Sequence, residues 1–357
     1  MENVDGMIKN PNLCFTTVDS YLIANLTNCE SIVTDSSNAG RTMLMDINKL
    51  EWSDKMLSEY EIKKSWLPEI KKKSSDNFGS IRHPDLKILE GVPIGGDLGD
   101  QHAACLGHIL REGQVKNTYG TGCFLLQNTG SNIIQSKHGL LTTLCYNIDG
   151  TPNYALEGAV EIAGAAIHWA KSIGFIKETK NLEAIASSVQ DCGDVYFVPA
   201  FQGIFSPYWR DDARGLWIGL GSNTTHAHMV RSMLEAPCLR TCEVIDSMSI
   251  DSGKTVSKMA VDGGMTVNNL MMQLQANYAN ATIVRKQEQE ITGIGAAIAA
   301  GLHVKFWDSL EQVEDKVKVE REFSPEAAYT ADMRQKKRNR WQQAVERSIG
   351  FGWEEEK

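Results

Sequence analysis

Apolar positions along this chain recur with two periods, and the switches between them come in a regular order. Val18-Asp19-Ser20-Tyr21-Leu22-Ile23 opens an amphipathic helix with an Asp or Ser cap. Asn38 to Leu44 follows as a turn and a short apolar run, and Lys71 to Pro84 reads as loop. A glycine-rich turn at 91–100 leads into a helix over Gln101–Leu110. Asn117 to Asn128 reads as strand, turn and strand around Gly120-Thr121-Gly122, and Leu140–Tyr146 as a strand. Helix over 162–173, buried strand over 195–198 and a long helix over 227–248, kinked at Pro237, come next. Lys258–Asp262 is a strand running into Gly263-Gly264, followed by helices over 268–279, 291–302 and 325–348. Strands that alternate with helices predict an α/β fold with ligands at the strand C-termini.

The densest chemistry lies in Gly95-Gly96-Asp97-Leu98-Gly99-Asp100-Gln101-His102-Ala103-Ala104. The glycines let the backbone bend tightly and approach a ligand. The helix that follows offers unpaired N–H groups and the positive end of a dipole. Asp100 there reads two ways: as a helix cap, or as a carboxylate that accepts a proton from a substrate hydroxyl. Pairing Asp100 with His102 as a hydrolase is disfavoured, because residues two apart on a helix face different ways.

Three glycine-containing stretches invite a nucleotide. Ser252-Gly253-Lys254-Thr255 has the tail of a P-loop but Met248 stands where the leading glycine belongs, so it reads as a turn at a helix end. Gly293 to Ile298 lacks the third glycine of a dinucleotide fingerprint, and its small residues read as close helix packing. Tyr119-Gly120-Thr121-Gly122-Cys123-Phe124 and Asp262-Gly263-Gly264 form a pair that fits a nucleotide held between two lobes. One turn would face phosphates and the other adenosine, with a base for the acceptor hydroxyl.

Composition narrows the class. The 357 residues carry a net charge of −9, which gives no basic excess for nucleic acid. Length suggests two domains. Arg334, Lys336, Lys337, Arg338 and Arg340 cluster on the last helix and read as a solvated face. Eight cysteines without a C-x-x-C pair read as reduced, mostly buried thiols of a cytoplasmic protein. No leader or membrane-length apolar run is read in the sequence.

The residues also resemble a known family. Gly99-Asp100-Gln101, Lys116 to Phe124, Lys137 to Thr143, Phe197 to Phe201, Pro207-Tyr208-Trp209 with Ala213-Arg214-Gly215, and Val261 to Gly264 are similar to the glycerol kinases of the FGGY carbohydrate kinases. Asp19-Ser20, Thr34-Asp35 and Asn38 to Leu44 match too. The resemblance implies actin/hexokinase-like (ribonuclease H-like) ATPase lobes, with residues 1–107 the remnant of an incomplete first lobe and 108–357 the nucleotide-binding lobe. It implies a transferase that uses ATP and Mg²⁺ to convert glycerol to sn-glycerol 3-phosphate, with glycerol and ATP/ADP as partners in a homo-oligomer. Asp100 would be the base. Gln101 would hydrogen-bond glycerol, and Phe124 would face its carbons. Thr121 would meet the phosphates, Gly164 and His168 the nucleotide, and Gly264 with Asn268 the adenosine.

The chain also departs from the family. It begins late: no Asp-x-Gly-Thr turn occurs, and the metal-binding carboxylate is expected in the part not present. His168 stands where Gln or Arg is usual, and Pro237 where an aliphatic residue is. The segment before Asp100 lacks the Gly-Gly-Thr-Arg of enzymes that respond to fructose 1,6-bisphosphate and has the eukaryotic form. Two expectations follow: a glycerol kinase, or a truncated, catalytically incompetent nucleotide-binding relative.

Overall fold

The computed structural model describes residues 13–352. Its first part carries α1 (Val18–Leu26), β1 (Val33–Asp35), α2 (Ser36–Ala39), β2 (Met45–Asp46), β3 (Glu51–Trp52), α3 (Asp54–Glu59) and β4 (Glu69–Lys71). β1 and β4 pair in parallel, and β2 and β3 pair antiparallel. Thr17, not Asp19 or Ser20, occupies the cap position of α1 and makes no side-chain cap bond. Asp19 is drawn away to accept from Thr34 Oγ1 at 2.7 Å. The expected turn at 38–44 starts inside α2, because the Asp35 carboxylate caps that helix by accepting from Asn38 N.

The second part is built on α4 (Asp100–Gly107), β5 (Val115–Tyr119), β6 (Cys123–Gly130), β7 (Leu141–Tyr146), β8 (Asn153–Val160), α5 (Gly164–Ser172) and α6 (Leu182–Ser187). It continues with β9 (Tyr196–Val198), β10 (Leu216–Ile218), α7 (His226–Ser252), β11 (Lys258–Asp262), α8 (Asn269–Ala279), β12 (Thr282–Lys286), α9 (Ile291–His303), α10 (Leu310–Glu314), β13 (Val319–Phe323) and α11 (Ala331–Ser348). Seven strands form one mixed sheet in the order β13-β12-β11-β5-β6-β8-β7. β11 is parallel to both of its neighbours, β5 and β12, so the parallel core is flanked by antiparallel pairs.

Alternation along the strands sends neighbours to opposite cores. Leu125 and Leu156 join Tyr119, Leu234, Met271 and Trp341 on the face covered by α5, α7, α8 and α11. Leu126 and Ala155 join Leu106, Leu110, Ile298 and Ala299 on the face covered by α4 and α9. The small residues of 293–298 do pack helices: a β-carbon on Gly295 would lie 1.8 Å from the Ala103 carbonyl oxygen.

α7 runs unbroken through Pro237, where a kink was expected. Most of the helix is buried, Pro237 included, and that packing offsets the missing N–H. Gly253 ends α7 in the left-handed conformation, so the P-loop-like tail is a helix terminus. α11 begins at Ala331 rather than near Pro325, because Thr330 caps it by accepting from Met333 N. Its basic cluster is not one solvated face. Lys336 is exposed beside Asp332, but Lys337 turns inward onto Glu235 at 2.5 Å, and Arg338 reaches Asp246 and the Tyr278 carbonyl. The eight cysteines are free thiols; six are buried and Cys29 is exposed.

Candidate active site

The turn before α4 is tied to β1 and α2. Gly99 N donates to Ser37 Oγ at 2.9 Å, and Ser37 Oγ donates to Asp35 Oδ1 at 2.8 Å. Asp97 accepts from Asp35 N at 3.1 Å and from Asn38 Nδ2 at 3.2 Å. Burial, then the charges of Asp35 and Asp19, push the Asp97 carboxyl up to about 9, so it holds its proton at neutral pH. Burial also raises Asp35, against the hydrogen bond from Ser74. These acids frame the turn and were not singled out from sequence. Asp35 and Asp97 lie 62 residues apart, and their only signal was membership in motifs noted for other reasons.

Gly99 is the cap residue of α4, so Asp100 occupies the first helical position instead of capping. Its Oδ1 accepts from Gln101 N at 2.7 Å, and Oδ2 lies 3.5 Å from Gln101 Nε2. The carboxylate is exposed. His102, in contrast, is buried, with Nδ1 unpartnered and Nε2 3.4 Å from Thr143 Oγ1. Burial and then the Arg41 charge depress its pKa to about 3, so it stays neutral. Asp100 and His102 therefore form no dyad.

Gln101 Oε1 accepts from Lys116 Nζ. Lys116, on β5, also donates to Thr118 Oγ1 at 2.9 Å and to the Phe124 carbonyl at 3.2 Å. Phe124 is 37% exposed. At the end of β11, Asp262 Oδ2 sits 2.8 Å from His108 Nε2. Burial would raise Asp262, but the His108 hydrogen bond and the Lys116 charge more than offset it and hold the group ionised.

A cavity of about 770 Å³ opens between the β5–β6 turn, α5 and the start of α8. Thr121, Gly164, His168, Gly264 and Asn268 all line it. Gly164 N donates to the Gly120 carbonyl at 3.0 Å, and Ala165 N to the Thr121 carbonyl at 3.0 Å, which fixes α5 against the turn. A β-carbon on Gly164 would stand 2.6 Å from that Gly120 oxygen. Gly264 faces open space, with nothing within 4 Å of where its β-carbon would be. Asn268 Oδ1 caps α8 through Met271 N at 2.9 Å, which leaves its amide N–H₂ available. Ile167, Leu182, Leu234 and Met271 supply apolar walls, and Lys180 and Glu183 stand at the polar side.

The sequence-predicted residues thus fall into two groups. Five share the cavity. Asp100, Gln101 and Phe124 lie outside its lining and are joined to one another through Lys116 and the start of α4. Lys116 and Arg41 were not picked out as site residues. Arg41 forks onto Glu157, with Nη2 3.1 Å from Oε1, and carries its charge toward Asp100.

A profile described as "FGGY family of carbohydrate kinases, C-terminal domain" matches residues 115–304, and its N-terminal counterpart matches residues 1–107. The chain belongs to the FGGY family of carbohydrate kinases. Within the family it groups with the glycerol kinases. It is 43% identical to a glycerol kinase of Mycolicibacterium vanbaalenii, over 98% of this chain and 71% of the relative. It is 42% identical to a probable glycerol kinase of Dictyostelium discoideum, over 94% of this chain and 63% of the relative. Among solved structures it resembles Plasmodium falciparum glycerol kinase with ADP (TM-score 0.87, 39% identity), covering 93% of this chain and 66% of that one. A xylulose kinase of Lactobacillus acidophilus shares the fold at TM-score 0.81 and 22% identity. The chain spans about two thirds to seven tenths of the length of most of these relatives.

Proposed function

We propose that this chain transfers the γ-phosphoryl group of ATP to glycerol, giving sn-glycerol 3-phosphate and ADP. The observation that carries the reading is the convergence of Thr121, Gly164, His168, Gly264 and Asn268 on one cavity. That cavity adjoins the hairpin that also carries Lys116 and Phe124. The relatives' names and the ADP of the Plasmodium structure support it.

The cavity suits a nucleotide. Its apolar walls offer a slot for a purine, the unsubstituted Gly264 leaves room for the sugar and base, and the Thr121 hydroxyl stands at the turn where phosphates would lie. In the reaction, a glycerol hydroxyl oxygen bonds to the γ-phosphorus while the bond from that phosphorus to the bridging oxygen of ADP breaks. The hydroxyl proton passes to Asp100. Oδ1 accepts from the Gln101 backbone N–H, and Oδ2, with only the long 3.5 Å contact from Gln101 Nε2, has a lone pair left for the substrate. A positioned base of this kind contributes roughly 10²- to 10⁴-fold, and alignment and charge stabilisation supply most of the rest. Phe124 would shield the glycerol carbons.

Mg²⁺ would enter with the nucleotide, held chiefly by phosphate oxygens, water and a carboxylate or two. Among the described residues no three His, Cys, Asp or Glu side chains converge as a metal site. The same reading extends to a homo-oligomer in the cytoplasm. Among the described residues no helix is long and apolar enough to cross a membrane.

Glycerol-dependent ADP release, measured in a coupled assay on the folded chain, tests the reading. Turnover that needs both glycerol and ATP is the expected result. ADP binding without any turnover would remove the catalytic claim and leave a nucleotide-binding protein.

A further inference from the structure

Lys116 is a buried lysine whose charge helps hold Asp262 ionised, yet its hydrogen bonds all go to neutral oxygens. It is 0% exposed, in the middle of the seven-stranded sheet. A buried ammonium is costly unless its donors are satisfied. Lys116 satisfies all three N–H donors with neutral oxygens: Gln101 Oε1, Thr118 Oγ1 at 2.9 Å and the Phe124 carbonyl at 3.2 Å. Two of those three acceptors belong to residues that the proposed function places against glycerol. The third, the Thr118 hydroxyl, lies on the same strand as Lys116 itself.

We infer that Lys116 is a positioning residue that sets the polarity of the glycerol site by fixing the Gln101 amide. The inference rests on the reading of Asp100 and Gln101 as substrate contacts.

An amide can face either way round, with its oxygen or its N–H₂ outward. Lys116 has donors and no acceptor, so it can be met only by Oε1. That leaves Nε2 outward, 3.5 Å from Asp100 Oδ2. The site then presents a fixed donor beside a fixed acceptor. A hydroxyl group, which both accepts and donates, satisfies the two together. With the amide reversed, its oxygen would face the Asp100 carboxylate, and two acceptors would repel each other and waste the substrate's lone pair. The same ammonium holds the Phe124 carbonyl, so the register of the ring that would cover the glycerol carbons depends on it as well. None of the three residues that accept from Lys116 lines the 770 Å³ cavity, so nucleotide binding should be spared.

The test is steady-state kinetics on the whole chain, with ADP affinity and melting temperature measured beside it. Lys116→Met should raise the glycerol KM at least tenfold and leave the KM for ATP and the affinity for ADP within about twofold. Lys116→Gln can still donate one hydrogen bond to Gln101 Oε1 and should recover part of the loss. In a Gln101→Ala background, Lys116→Met should add no more than about threefold, because the amide it orients is gone. An unchanged glycerol KM in Lys116→Met, or effects that multiply in the double variant, would overturn the assignment. So would equal losses for glycerol and ADP. If Lys116→Met does not fold, the same comparison is made with Lys116→Gln, where a glycerol KM equal to that of the unaltered chain overturns it. Absence of glycerol-dependent turnover in the unaltered chain strikes the proposed function itself, and this inference falls with it. A loss confined to the variants bears on Lys116 alone.

Discussion

Gly295 of α9 meets Ala103 of α4 backbone to backbone, so closely that a β-carbon would come 1.8 Å from the Ala103 oxygen. α4 is the helix that presents Asp100. Gly295→Ala must therefore push two buried helices apart. We expect a loss of about 1–3 kcal/mol, as for other overpacked interiors, read as a lower urea midpoint with an unchanged m-value. Wild-type stability would show that the crossing is looser than described.

Asp100→Asn keeps the size and first-turn position of the side chain but removes the proton acceptor. Turnover should fall roughly 10²- to 10⁴-fold, while ADP affinity stays as it was. Full activity in this variant, measured by ADP release at saturating glycerol, would exclude Asp100 as the base.

Gly164 lets α5 start against the Gly120 carbonyl, where a β-carbon would stand at 2.6 Å. Gly164→Ala should displace the Gly120-Thr121-Gly122 turn and weaken ADP binding by about tenfold or more, on the order of the 1.4 kcal/mol that factor represents. Calorimetric titration with ADP gives the answer. Unaltered affinity would mean that the turn does not shape the nucleotide site.

Asp97 supplies a pH dependence of unusual sign for a carboxyl group. Burial and the neighbouring acids raise it from 3.8 to about 9. Between those values the folded chain keeps a proton that the unfolded chain has released. Its contribution to stability is therefore complete below about pH 4 and is lost as pH climbs toward about 9. Asp97→Asn cannot ionise and should escape this loss. The melting temperature of the variant relative to the unaltered chain should rise from pH 5 to pH 8. A difference that stays flat or shrinks across that range would show that Asp97 is ionised in the folded chain.

Lys337 and Glu235 form a buried pair, with side chains 13% and 2% exposed. Lys337→Met strands the carboxylate with Arg231 as its remaining partner, at 3.1 Å. The cost should lie near the lower end of the 3–5 kcal/mol seen when buried pairs are broken. Adding Glu235→Gln should restore part of it. Thermal melts of the single and double variants decide this, and a Lys337→Met melt like the parent's would place the ammonium in solvent.

What the sequence disclosed was mostly local. The Gly120-Thr121-Gly122 hairpin, the strand over Lys258–Asp262 and the helix end at Gly253 were legible because short-range turn and strand chemistry decides them. Asp100, Thr121 and Gly264 could be proposed because glycine turns flag them, and two of the three, Thr121 and Gly264, line one cavity. Lys116 could not, since an isolated lysine in a strand gives no sign that it will be buried until β6 and α4 close over it. The Asp35–Asp97 pair was hidden by its 62-residue separation. Pro237 misled because its local penalty says nothing of the packing on both sides of α7. Lys337 looked solvated for the same kind of reason: its partner Glu235 lies on another helix, and only tertiary contact reveals it.

The packing of α4 has a mechanical meaning. The two family profiles meet near residue 107, just after this helix. Yet Cys105 and Leu106 share one core with Leu126, Tyr146, Ile298 and Ala299, all from the second part of the chain. Asp100 is thus bolted to the body that carries Thr121 and Gly264. The position of the proposed base is therefore set by the interior of the second part and not by the first part alone.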